Sequence, residues 1–155
     1  MKEDTLIFEC MGFGEDGKFF LEHTGRGEDI SPEFLLKNLS AQAKSLAITL
    51  EDLSHPIKNF THWVAWNIPA VTDIPKGIPA GASLPSFGNA VQGIGYGFHR
   101  YAGPKPPKGT SHRYRFTVYV LDCKLELPPC STKRQVLRRA GGHIIQQGEI
   151  CGYFV

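Results

Sequence analysis

Apolar and polar positions alternate most clearly between His112 and Leu121. On an extended chain His112, Tyr114, Phe116, Val118 and Val120 share one face, and Arg113, Arg115, Thr117, Tyr119 and Leu121 share the other. This predicts a strand with one almost wholly apolar face that begins with a histidine. The second face opens with two arginines and turns apolar later, as in a strand running from a rim into a sandwich. Three further runs predict strands: Leu6 to Phe8, Ser45 to Leu50, and Thr61 to Ile68, which stops at Pro69. Trp63 and Trp66 fall on opposite faces of the last run, and ordinary core packing accounts for at least one of them.

Helical signal is confined to the end of the chain. Thr132 and Gln135 fit a capping box, in which Gln135 reaches back to the N-cap amide. Val136, Leu137 and Ala140 would then face the core. Gly141-Gly142 interrupts this helix, His143 to Gln147 is expected to add a further turn, and Glu149 to Phe154 is expected to end the chain as a strand. The long stretch from Pro69 to Gly109 has little periodicity. It is read as irregular structure with short strands, one of them over Gly93 to His99, covering one end of the sheets. Loops held by a rigid scaffold are where binding residues gather.

Composition narrows the class. The 155 residues include 17 glycines and 11 prolines, well above average usage, which argues against a helical bundle. No repeat or linker divides the chain, so residues 1–155 read as one mainly β domain. The segment Met1 to Ile7 lacks the apolar stretch of a secretory signal, and no apolar run approaches the roughly 18 residues of a membrane helix. Cys10, Cys123, Cys130 and Cys151 include no C-x-x-C pair and read as reduced, mostly buried thiols of a cytoplasmic protein. Residues 1–98 carry 7 basic and 12 acidic groups, whereas residues 99–155 carry 10 basic and 3 acidic groups. Such a split fits an anion-binding face or two halves that attract each other.

The stretch most informative about chemistry is Gly103-Pro104-Lys105-Pro106-Pro107-Lys108-Gly109-Thr110-Ser111-His112-Arg113-Tyr114. Its prolines and glycines make a stiff loop of defined shape, which delivers His112 and Tyr114 to one face of a strand. This motif resembles the signature of the phosphatidylethanolamine-binding protein family, which includes bacterial and archaeal homologues of the Raf kinase inhibitor protein. The resemblance extends to Gly27-Glu28-Asp29-Ile30-Ser31-Pro32, to Ser45–Pro69 with His62-Trp63, and to Gly142-His143-Ile144, Gly148-Glu149 and Gly152-Tyr153. It implies an antiparallel β-sandwich with short peripheral helices. It also implies a pocket for a phosphate-bearing head group, formed by Asp52, His62, His112 and Tyr114. Two imidazoles and a phenol suit phosphate oxygens in any case. Asp52 is expected either to orient a histidine or to receive the ammonium of an ethanolamine. Backbone amides near Tyr101 to Gly103 are expected to complete an anion nest, with Pro104 beside them among the ligand-binding residues. A kinase-type or other protein partner, and a homodimer, are carried by the resemblance alone.

The sequence departs from the family pattern in two places. The family's usual D-P-D-A-P stands as Asp52-Leu53-Ser54-His55-Pro56, so Ser54 replaces a second aspartate. The segment Gly88 to Arg100, with Gly93-Ile94-Gly95-Tyr96-Gly97, is longer than the common form. Blander roles stand beside the sharper ones. His62 alone would read as structural, and only its company with His112 moves it to the pocket. His143 reads as a tie between helix and sheet, and His55 and His99 as loop residues at a pocket edge. Lys133-Arg134 and Arg138-Arg139 read as a solvated helix face, which leaves nucleic acid a poor partner. No native metal or other cofactor is expected, since Asp52, His62 and His112 come from separate elements. The reading is therefore a non-catalytic binding protein. An inhibitor of a kinase or protease is the alternative, and a small hydrolase using Ser54, or less favourably Ser111, is a weaker one.

Overall fold

The computed structural model describes residues 4–155. Its strands in chain order are β1 (Asp4–Thr5), β2 (Phe8–Cys10), β3 (Phe34–Leu36), β4 (Ser45–Asp52), β5 (Phe60–Ile68), β6 (Asp73–Ile74), β7 (Ser83–Leu84), β8 (Ala90–Gln92), β9 (His112–Leu121) and β10 (Ile144–Phe154). One α-helix among the described residues, α1 (Lys133–Ala140), precedes β10. Seven strands form a sheet in the order β1-β10-β9-β4-β5-β8-β7, and β2-β3-β6 form a second.

Strand β4 lies at the centre of the large sheet, and all eight of its residues are buried. It pairs with β9 in unbroken antiparallel register from Ser45 opposite Leu121 to Asp52 opposite Tyr114. The alternation of β9 sorts its side chains between two cores. Tyr114, Phe116, Val118 and Val120 pack between the sheets with Phe34, Leu36 and Ile74. Tyr119 and Leu121 pack on the opposite face with Val136 and Ala140 of α1. Trp63 belongs to the first core and Trp66 to the second. The outcome is the mainly β sandwich that the family resemblance implies, built on the strands that alternation predicts. Fully burying a side chain such as Phe116 is worth roughly 1.5–3 kcal/mol, so the central strands form a stiff frame for the loops at their ends.

Two expectations are corrected. The helix starts at its capping box, with Thr132 accepting from the Gln135 amide and the Gln135 side chain accepting from the Thr132 amide. It does not resume after Gly141-Gly142. Gly142 turns the chain at φ 81°, and Ile144 then begins β10, which pairs with β9 along its whole length. β-Branched Ile144 and Ile145 and an open edge of β9 outweigh a brief helical pattern. Gly93 to His99 is likewise no strand but a loop closed by a bridge between Ile94 and Phe98. The short strands of the irregular stretch lie earlier, at β6, β7 and β8.

A buried amide holds that stretch in place. Gln92 accepts a hydrogen bond from Trp63 Nε1 at 2.8 Å and donates to the carbonyls of Pro79 and Gly81 at 2.9 and 3.0 Å. The four cysteines are free thiols, but against expectation only Cys10 is buried, where burial pushes its pKa up to about 12; Cys123 and Cys151 are half-buried and Cys130 is exposed. No helix of the described residues is long and apolar enough to cross a membrane.

Candidate functional site

Three central strands end at the same edge of the large sheet. β4 finishes with Asp52, β9 opens with His112 and Tyr114, and β5 carries His62 near its start. Pairing sets Asp52 opposite Tyr114 on one side and opposite Phe60 on the other. Simple alternation would send His62 to the face opposite its neighbour Trp63. The register prevents this: Leu50 pairs with Trp63 and Glu51 with Thr61, so His62 is the extra residue of a bulge. Bulges re-aim side chains, and here the imidazole meets Tyr114 edge to face with ring centroids 5.4 Å apart.

Asp52, His62, His112 and Tyr114 thus share one cleft of about 150 Å³. An aromatic wall of His55, Phe60 and Tyr96 flanks them, and Lys105, Pro106 and Pro107 form a rim. His55 stacks on Phe60 with ring centroids 3.8 Å apart, and Tyr96 lies 5.0 Å from the His62 ring. The volume suits one small polar group, well below the several hundred Å³ of sites that enclose drug-sized ligands.

The hydrogen bonds decide what the imidazoles present. His112 Nδ1 lies 2.7 Å from Asp52 Oδ2, and His62 Nδ1 lies 2.9 Å from the Ala102 carbonyl oxygen. Both partners are acceptors, so each Nδ1 carries a proton and each ring keeps Nε2 for a ligand. Asp52 is itself fixed, since its Oδ1 accepts the Ser54 amide at 2.9 Å. Of the two roles expected for Asp52, the contacts match the orienting one. Burial lowers the pKa of His62, although the Ala102 carbonyl and the charge of Asp52 oppose the shift. Burial raises that of Tyr114, and Asp52 adds to the rise, so the phenol remains a neutral donor.

Glycines in the loop that follows β8 explain how Tyr96 arrives. The amides of Tyr96 and Gly97 donate to the carbonyls of Thr61 and His62 at 2.8 and 2.9 Å. A Cβ on Gly97 would come within 2.1 Å of the Arg100 carbonyl oxygen, and one on Gly95 within 3.0 Å of that of Thr61. The spacing Gly93-Ile94-Gly95-Tyr96-Gly97 therefore permits a close approach of backbone to β5 that lays Tyr96 over His62. The residue reading missed Tyr96, Phe60 and Lys105. For Lys105 and Tyr96 the signals were present in the proline loop and the alternating glycines.

Tyr101, Gly103 and Pro104 do not join the lining. Tyr101 is buried and donates to the His23 carbonyl at 2.6 Å. The Gly103 amide donates to Asp29 Oδ1 at 2.7 Å, and the Pro104 carbonyl accepts the Gly25 amide. The expected anion nest is thus already occupied by Asp29, whose other oxygen meets Arg100 at 3.2 Å. These residues brace the loop from behind, and the Gly27–Pro32 motif supplies the brace.

Other candidates resolve in the same way. The Ser54 hydroxyl accepts the Arg113 amide at 2.9 Å, and Ser111 is exposed and outside the lining. Lys133, expected on a solvated face, instead bonds buried Glu51. His143 bonds Asp122 at 2.9 Å, as a tie between helix and sheet. Asp122, Cys123 and His143 hold their ligand atoms within 4.8 Å of one another at the far end of β9. The His143–Asp122 bond, with Cys123 next to Asp122 in the chain, accounts for that proximity.

With this geometry in hand, similarity to known proteins is informative. The family model described as phosphatidylethanolamine-binding protein matches residues 12–155. A UPF0098 protein of Pyrococcus abyssi is 41% identical over 144 residues, covering 92% of this chain and 81% of that one. A crystal structure of a phosphatidylethanolamine-binding protein homologue from Chlamydia trachomatis superposes with a TM-score of 0.82 at 27% identity, covering 99% of each chain. That of Escherichia coli YbcL, described as a member of the mammalian family, gives 0.81 at 26% identity over 96% of this chain and 97% of the other.

Proposed function

This chain belongs to the phosphatidylethanolamine-binding protein family, and from that premise we propose that its cleft binds a small phosphate-bearing or similar tetrahedral anionic group without covalent chemistry. The observation that carries this reading is the pair of imidazoles whose Nδ1 atoms are committed to Asp52 and Ala102. Each ring is fixed through Nδ1, and both rings line the same small space. Tyr114 adds a hydroxyl that stays neutral, Lys105 belongs to the rim, and an imidazolium Nε2 would donate to an anion with charge assistance. Charge-assisted bonds of this kind are the stronger ones.

The protonation pattern makes the ligand class more specific. A neutral His62 presents a lone pair at Nε2, which repels a bare oxyanion. Either the ligand brings its own proton, as a phosphate monoanion does, or His62 takes one up on binding. Sulfate carries no proton except in strong acid, so its contact with His62 depends wholly on imidazolium. Ser54 supports binding rather than acyl or phosphoryl transfer to the protein, since its hydroxyl braces the start of β9.

Thermal melts with sulfate, phosphate and phosphoethanolamine at pH 5.5 and pH 8 test the proposal. A ligand at 100 times its Kd raises stability by about 2.7 kcal/mol, several degrees for a chain of this length. Sulfate should stabilise at pH 5.5 and lose most of its effect at pH 8, whereas phosphate should keep more of its effect. No stabilisation by any of the three at either pH would refute the anion site.

A further inference from the structure

On the α1 side of the large sheet, across Phe60 and Tyr96 from the cleft, lies a groove of about 1010 Å³. Its walls are mostly carbon, with Ile57 and Ile94 near one end and Leu137 of α1 at the other. Ile57 is 63% exposed and Tyr96 54%, so large side chains leave apolar surface in water along a single groove. Hydrogen bonds hold its shape. The Tyr96 amide donates to the Thr61 carbonyl at 2.8 Å and the Ile94 amide to the Ser131 carbonyl at 2.9 Å, which ties the loop after β8 both to β5 and to the approach to α1.

Charge on this groove has one sign. Lys133 and Arg134 belong to its lining, and no acidic side chain does. Helix α1 continues the pattern with Arg138 and Arg139 and has no acidic residue among its eight. Lys133 is met by Glu51, and Arg139 donates to the Glu126 carbonyl. Arg134 and Arg138 are exposed and form no ion pair among the described residues. Four residues apart, they share one face of the helix. The helix gains nothing from Arg134, because its first turn lies at the positive end of the dipole, where acidic residues stabilise and basic ones do not. An unmatched guanidinium therefore borders an apolar trough.

We propose that the groove docks an acidic peptide segment of a partner protein, one in which Asp or Glu stands beside Leu, Ile or Phe. The apolar side chains of the segment cover Ile57, Ile94 and Leu137, and its carboxylate pairs with Arg134 in the forked geometry that a guanidinium favours. This surface is separate from the cleft and does not depend on what the cleft binds. Charge complementarity decides the occupant. A wholly apolar segment leaves Arg134 unmatched, and a basic one is repelled. Nucleic acid would match the arginine, but aliphatic Ile57, Ile94 and Leu137 give bases no stacking partner, and the net charge of the chain is only +2.

The test is selection from a random peptide display library on the native chain and, in parallel, on Arg134→Glu. Native selections should enrich peptides that combine acidic with apolar residues. Synthesised and titrated, these peptides should bind Arg134→Glu at least about tenfold more weakly, with Arg134→Gln in between, and should weaken as salt is added. Selections on Arg134→Glu should lose the acidic preference and admit Lys or Arg in its place. Ile57→Ser should also weaken the selected peptides, about threefold or more. Both positions are exposed, so melting temperatures close to native check that the variants fold. His112→Ala should bind the peptides as the native chain does, whatever it does to phosphate. Failure to enrich any peptide, enrichment without acidic residues, or equal binding to Arg134→Glu each overturns the proposal. Peptides lost in His112→Ala lie in the cleft and overturn it as well. A single-stranded oligothymidylate that binds through Arg134 more tightly than the selected peptides would assign this face to nucleic acid instead.

Discussion

Glu51 and Asp52 are consecutive residues of β4, both nearly inaccessible, and they face opposite sides of the same sheet. Glu51 receives two permanent cations, with Arg115 Nη2 at 3.1 Å and Lys133 Nζ in direct contact. Asp52 receives none. Its partners are the Ser54 amide at 2.9 Å and the His112 imidazole at 2.7 Å. Glu51 is matched by two cations, and its neighbours leave little for a ligand to add. Asp52 meets only a backbone amide and one imidazole, at the mouth of a cleft. A buried carboxylate is therefore not a functional signal in itself. What separates an anchor from a site is whether its partners are already complete.

The largest effect expected from this contrast is on stability, at Glu51. The substitution Glu51→Gln keeps the shape but leaves Arg115 and Lys133 without their counter-charge. Removing one member of a buried ion pair costs about 3–5 kcal/mol. Arg115 is 31% exposed and Lys133 15%, so solvent reduces the expected loss to about 2–3 kcal/mol. Urea unfolding measures it, and anion affinity should be unchanged. Adding Lys133→Met should recover part of the loss, because one of the two stranded cations is then gone. A Glu51→Gln protein as stable as the native one would show that the anchor is not an anchor.

At the neighbouring residue the effects should move from stability to binding. His112→Ala removes an Nε2 donor and should weaken phosphate binding about tenfold to a hundredfold, the worth of one hydrogen bond to a charged group. Asp52→Asn keeps an oxygen near His112 but removes the charge that balances an imidazolium, and should cost about tenfold or less. Both should unfold at urea concentrations closer to native than Glu51→Gln does. Should Asp52→Asn instead cost as much stability as Glu51→Gln and leave affinity untouched, Asp52 is a second anchor and the contrast disappears.

The same pair shows where a sequence can be read. Alternation places His112 and Tyr114 on one face of β9 because that strand pairs with β4 without interruption. The strands β4, β5 and β9 and the capped helix were legible for the same reason: each rests on local periodicity or on a cap of four residues. His62 was not legible by alternation. Its direction depends on a bulge, which is a property of the pairing between two strands and leaves no mark on either one alone. Gln92 was missed because a lone glutamine after a valine carries no pattern, yet it ties Trp63 to the loops over the cleft. The stretch from His143 to Gln147 was misread because its neighbour β9, far earlier in the chain, decides its conformation. Lys133 looked solvated on a helix of basic residues, and only the tertiary fold brings Glu51 within its reach.

The smallest effect is in the pH dependence, and it probes the burial of His62 directly. Burial holds the folded pKa of this histidine below its ordinary value of 6.5. As pH falls below 6.5 the unfolded chain takes up the proton first, so the unfolded state binds more protons and stability falls with it. Above 6.5 both states leave the ring neutral, and this contribution is constant. The native protein should therefore lose stability as pH falls below about 6.5, and His62→Gln, which removes the titrating ring, should lose less of it. A saturating anion reverses the direction. It stabilises imidazolium in the folded state, lifts the folded pKa, and shortens or abolishes the window of loss. Melts across this range with and without sulfate check both halves. A slope that sulfate leaves unchanged would place the titrating histidine outside the cleft, and the division between a completed anchor at Glu51 and an incomplete site at Asp52 would then lack its second half.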